Sequence, residues 1–168
     1  MSFEIFFHSY ERGEPGPFPL SEIESAFQAA IVHREPSRNG FFWRLEYPVL
    51  NRPDLPPYLE INGRMIPTES IAVRDGSEVY ITIQSGTDSS PTTDGFMVKG
   101  PATHLDFYAA LLRLLQTTHS ALFWPGNNSL VIGQIETIEH LPEGMAESLG
   151  EPFLASTPQQ IIDRISAS

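Results

Sequence analysis

Glu136 and His140 stand four residues apart in IETIEH, the spacing at which an α-helix presents a carboxylate and an imidazole on one face, as a two-ligand metal site requires. No second histidine joins them. His8, His33, His104 and His119 are spread singly, so the pair reads as an ordinary exposed contact and no metal is expected. A second constellation lies in THLDFYAALLRLLQTT, residues 103–118, where Asp106 and Arg113 share one narrow polar stripe. Two turns apart, they are too distant for a direct bridge along a helix. Each is expected to meet a neighbouring strand, a loop or water. If a pocket opened beside this helix, His104, Asp106, Tyr108 and Arg113 would line it, and Asp106 could move a proton there.

Other routes to chemistry are missing. There is no G-x-G-x-x-G, no Walker lysine and no G-x-S-x-G elbow, which argues against nucleotide loops and a nucleophile on a strand-to-helix turn. The chain has no cysteine, so thiol catalysis, thiolate zinc and disulfide scaffolds are excluded. No catalytic residue and no cofactor is assigned.

Charge is more informative. With 21 acidic against 10 basic residues the net charge is -11, which disfavours the basic face that nucleic acid demands. Lys99 is the sole lysine, and no Lys or Arg occurs between Arg113 and Arg164. Glu136, Glu139, Glu143, Glu147 and Glu151 fall in that gap. The bland reading is a solvated face that aids solubility; the sharper one is a landing site for a basic protein. Phe6, Phe42, Tyr80 and Trp124 lie on strand faces outside the main apolar pattern. They are core if helices cover both sheet faces, and partner-binding anchors if one face is open. Phe42 and Trp124 are therefore grouped with the five glutamates as binding candidates.

The elements that must position these residues are partly marked. Residues 103–118 are apolar round most of a helix, with Asp106, Ala110, Arg113 and Thr117 as the polar stripe and Thr103 as N-cap, so this helix is expected to be the buried hub. Phe3 to Tyr10 and Phe41 to Tyr47 alternate as strands. Ser21-Glu-Ile-Glu24 has the form of a capping box for a helix running to about Arg34. Asn62-Gly63 and Asp75-Gly76 predict hairpin turns, the second between strands at 70–74 and 78–84. Pro48 to Pro57 carries four prolines and is expected as a loop. SGTDSSPTTD, residues 85–94, has no apolar residue and predicts a flexible segment. Strands follow at 95–99, 121–124 and 130–132. The tail predicts short helices at 134–140 and 142–149, an edge strand at 153–155, and a helix capped by Thr157-Pro158.

Length and a composition 40% hydrophobic and 18% charged fit one globular domain. The expected class is α+β with mostly antiparallel sheet and packed helices. The order of elements also suggests two β-α-β-β halves, 1–84 and 95–168, joined by 85–94. MSFEIFFHSYERGE lacks the basic and apolar regions of a signal peptide, and no window approaches the roughly 18 apolar residues of a membrane span, so a cytoplasmic location is expected. In size and acidity the chain is similar to the small immunity proteins and secretion chaperones of bacteria, a likeness of character carried by no motif. The expected role is binding a basic protein partner, with a small-molecule enzyme or ligand-binding domain as the alternative and a homodimer as a third arrangement.

Overall fold

A computed structural model describes residues 3–48, 56–67, 74–87 and 90–168, the side chains of 74 and 84–87 excepted. Expectations for 49–55 and 68–73, which include most of the proline-rich loop and the strand at 70–74, fall outside the described residues. The chain order is β1 Glu4–Glu11, β2 Glu14–Pro15, β3 Phe18–Pro19, α1 Leu20–Phe27, β4 Ile31–Ser37, β5 Gly40–Pro48, β6 Tyr58–Ile61 and β7 Arg64–Pro67. It continues with β8 Arg74–Thr87, β9 Ser90–Lys99, α2 Leu105–Thr117, β10 Ser120–Phe123, β11 Leu130–Ile132, a 3-10 helix Ile135–His140, α3 Met145–Leu149, β12 Phe153–Leu154 and α4 Pro158–Ala167.

One large sheet runs β12-β11-β10-β1-β9-β8-β5-β4, with β2 on β1, β3 on β9 and a separate β6–β7 hairpin. Its pairs are antiparallel except β11 with β12. The fold is thus α+β with helices packed on a mostly antiparallel sheet. The inner face is apolar because the strands alternate: Ile5, Phe7, Trp43, Leu45, Val79, Ile81, Phe96 and Val98 are all buried. They form one core with Ile23 and Phe27 of α1, Phe107, Leu111, Leu114 and Leu115 of α2, and Ile161 of α4.

The hub helix is where its composition puts it, with two corrections. His104, not Thr103, is the N-cap, accepting from the Asp106 N–H, while the Thr103 N–H and hydroxyl bind the Asp75 carboxylate at 2.6 and 2.7 Å. The exposed stripe is rotated: Leu105 is 51% exposed and Ala110 is buried. Helices α1 and α4 both flank α2, and the side that meets water, which includes Leu105 and Ala109 as well as Asp106, Arg113, Gln116 and Thr117, is wider than the polar stripe.

The other departures come from strand pairing. Helix α1 stops at Phe27, has no Ser21-Glu24 capping box, and gives way to β4, because Ile31–Ser37 hydrogen-bonds along β5. β-Branched Ile31 and Val32 suit that edge better than a further helical turn. Gly76 lies within β8 opposite Glu46, so Asp75-Gly76 is not a turn. In the stretch expected to be flexible, 85–87 and 90–94 are the paired ends of β8 and β9, and Thr93 is fully buried. Asn62-Gly63 does turn as its chemistry requires, both residues having positive φ. No helix among the described residues is long and apolar enough to cross a membrane.

Candidate functional site

Among the described residues, the outer face of the sheet is covered at one end only. Over β10 and β11, buried Ala121, Leu130 and Ile132 pack under Leu141, Met145 and Leu149, so the 3-10 helix and α3 form a short second layer there. A 3-10 helix has three residues per turn, and side chains at i and i+3 eclipse one another. Ile135–His140 is consequently three ridges. Thr137 and His140 face inward, Thr137 fully buried, and Gln134 just before them donates to the Thr118 carbonyl at 2.8 Å. Ile135 and Ile138 make an exposed apolar ridge, 56% and 46% accessible. Glu136 and Glu139 make an exposed acidic ridge beside it.

The inward ridge is well held. His140 stacks on His119 with ring centroids 4.1 Å apart and planes 11° from parallel. Its Nδ1 accepts the Arg12 N–H at 3.2 Å, and its carbonyl accepts the Gly13 N–H at 2.9 Å. This geometry corrects the shared face expected of Glu136 and His140: with three residues per turn, positions four apart point about 120° away from each other. Nor can the two stacked imidazoles share an ion, because a metal binds in the plane of each ring and parallel planes do not meet. Glu143, Glu147 and Glu151 continue the acidic surface through α3, all exposed. None of the five glutamates makes a hydrogen bond or ion pair among the described residues.

Beyond this layer no described residue covers the outer face, and cross-strand register brings distant residues into one line. Phe123, Phe6, Met97, Tyr80 and Phe42 are direct partners on β10, β1, β9, β8 and β5. Phe6 stacks on Phe123 at 5.6 Å, and Phe42 meets Tyr80 at 5.1 Å. Tyr80 is 36% exposed and Phe6, Met97 and Phe42 are half-buried. Two residues along each strand lies a second line, Glu4, Lys99, Glu78, Arg44 and His33. Trp124 does not belong to this surface: it is buried, its Nε1–H donating to Ser168 Oγ at 2.8 Å.

No protein-family model, curated protein or solved structure matches this chain. Function is therefore read from its own residues.

The four residues of the alternative pocket do not converge. His104 stacks on Tyr47 at 5.3 Å, and its Nδ1 is 3.8 Å from an Asp106 carboxylate that is itself 79% exposed. Asp106 borders a shallow cleft of about 170 Å³ with Ala26, Ala30 and Tyr47. Tyr108 is buried in the core, its hydroxyl pushed up to about 12 by burial and then by Asp75, and exposed Arg113 lies two turns beyond Asp106. Two larger clefts lie elsewhere: about 600 Å³ beside Leu20, Glu24, Phe41 and Pro91, and about 300 Å³ beside Tyr10, Thr118, His119 and His140. At the seam between covered and open ends, burial lowers the His8 pKa against an opposing effect of Asp94, and burial with Asp94 raises Tyr10 to about 12. Ile135, Ile138, Phe123 and Met97 escape a reading of the sequence. The ridges need a period of three, and the aromatic line needs the strand order.

Proposed function

We propose that the chain is a protein-binding module whose 3-10 helix and α3 receive a basic, amphipathic segment of another protein. The observation that carries this reading is the pairing of two exposed ridges, Ile135/Ile138 and Glu136/Glu139, side by side. Apolar side chains supply area that a partner can remove from water, and adjacent carboxylates select Lys or Arg at its rim. Glu143, Glu147 and Glu151 extend the negative field from the same surface, which speeds encounter with a basic partner and makes it salt-sensitive. The fixed inward ridge adds to this: His140 and Thr137 hold the backbone, so the outer ridges are preorganised and little ordering is needed on binding. Neutralising or chaperoning a basic protein is the role such a surface fits.

The test is affinity capture from the source lysate at low and high salt, comparing the native chain with Glu136→Lys/Glu139→Lys and with Ile135→Ser/Ile138→Ser. A basic protein held by the native chain at low salt and lost from both variants supports the reading. Retention of the same proteins by all three chains rejects it.

A further inference from the structure

We infer that the open part of the outer face is the contact between two copies of this chain, packed sheet to sheet about a twofold axis that runs along the strands between β8 and β9.

The charges on that face are arranged to meet themselves. Across β1, β9, β8 and β5 the line reads Glu4, Lys99, Glu78, Arg44, alternating in sign and antisymmetric about its midpoint. Within one copy Lys99 makes no ion pair among the described residues, although it lies in register between Glu4 and Glu78. A twofold axis between β9 and β8 sets every acid on this line opposite a base: Lys99 over the second copy's Glu78, and Glu4 over its Arg44. The same operation stacks the apolar line on itself, Phe6 over Phe42 and Met97 over Tyr80. Isologous contacts have this property, residue i meeting j while j meets i. Twisted sheets pack face to face about 10 Å apart with strands within about 30° of alignment, which leaves room for one interdigitated layer of such side chains. The layer over β10 and β11 sits at the margin of the contact. Under the axis β10 falls opposite β4, the sheet edge, and β11 comes to lie beyond the second copy's sheet.

The decisive experiment is sedimentation of two charge reversals, alone and mixed. The native chain is expected at twice its monomer mass, with dissociation in the micromolar range. Lys99→Glu sets acid against acid, Glu78→Lys sets base against base, and each alone is expected to weaken self-association at least tenfold while its circular dichroism is unchanged. Mixed in equal amounts, the two variants restore opposite charges at both contacts and are expected to form a heterodimer. A native chain that stays monomeric overturns the inference. So do two folded variants that each remain dimeric, or whose mixture remains monomeric. Should either reversal unfold the chain, Tyr80→Ser with Met97→Ser, which leaves the charges alone, is read in its place, and undiminished dimerisation of that variant overturns the inference as well.

Discussion

The two ends of the outer sheet face use similar residues differently. Over β10 and β11, Leu130 and Ile132 are completely buried by a second layer of chain, and Phe123 is tucked partly beneath it. Over β9, β8 and β5, Met97, Tyr80 and Phe42 occupy equivalent outward positions with no helix of the described residues above them. Strand chemistry is alike at both ends, so alternation does not decide what is covered. What decides it is whether the following segment returns over the strand. Gly133 lets the chain leave β11 close against α2, where an added Cβ would come within 2.6 Å of Leu115, and the 3-10 helix then doubles back across β1 and β11. Covering one end has a second effect, since the covering segment presents its own outer ridges to the solvent. In the proposed reading the closed end binds another protein and the open end binds a copy of itself.

Stability separates the two ends most sharply. Leu130→Ala at the closed end is expected to destabilise the fold by about 3 kcal/mol, because the methyl groups leave a cavity under Leu149 and Met145. Tyr80→Ala at the open end should cost under about 1 kcal/mol in dilute protein, where its cross-strand contact with Phe42 and an exposed hydrogen bond from its hydroxyl to Glu78 are lost. Urea unfolding of both variants measures the difference, and equal losses would mean that the open end is packed like the closed one. Thr137→Val is expected to act the other way. The Thr137 hydroxyl is buried beneath the 3-10 helix without a hydrogen-bond partner among the described residues, so a methyl of the same shape should stabilise by about 1 kcal/mol. Chemical denaturation of that variant checks the sign.

The seam between the ends predicts a pH dependence. His8 is held below its ordinary 6.5 by burial, so between that value and its folded pKa the unfolded chain binds more protons than the folded one. Stability should therefore fall as pH drops below 6.5 and level off beneath the folded value. At the alkaline end Tyr10 and Tyr108 titrate near 12 when folded and at 10.0 when unfolded, so stability should fall as pH rises between those values. Thermal melts across pH, repeated with His8→Gln, test the acid limb; an unchanged slope in that variant removes His8 as its cause. The smallest effect is expected of Ile135→Ser/Ile138→Ser, which touches only exposed side chains and should shift stability by no more than about 0.5 kcal/mol per site. Its melting curve distinguishes loss of a binding surface from loss of the fold.

What was legible in the sequence depended on the range of the cause. Local signals held: the apolar hub of α2, the alternation of β5, the Asn62-Gly63 turn, and the Thr157 cap of α4, to which the structure adds the reciprocal bond from Gln160. Non-local pairing did not announce itself. Residues 31–34 look like the end of a helix until β5 is beside them, and 85–94 looks unstructured although 85–87 and 90–93 are held by a ladder. The site divides in the same way. The five glutamates stand out as a gap in basic residues, whereas their setting beside Ile135 and Ile138 depends on a period of three instead of 3.6. Phe42 was legible as an outward aromatic, but its line with Tyr80, Met97, Phe6 and Phe123 exists only in the register of five strands. Trp124 could not be separated from them, because the α4 end that buries it lies 44 residues away.

Site-specific photo-crosslinking tests the central claim most directly, with a benzophenone side chain placed at Ile138 in one chain and at Tyr80 in another, irradiated in the source cells. The account predicts that Ile138 yields an adduct with a basic protein, abolished by Glu136→Lys/Glu139→Lys, while Tyr80 yields an adduct with a second copy of this chain. An Ile138 position that captures nothing, or that captures the same species with and without the two glutamates, would contradict it.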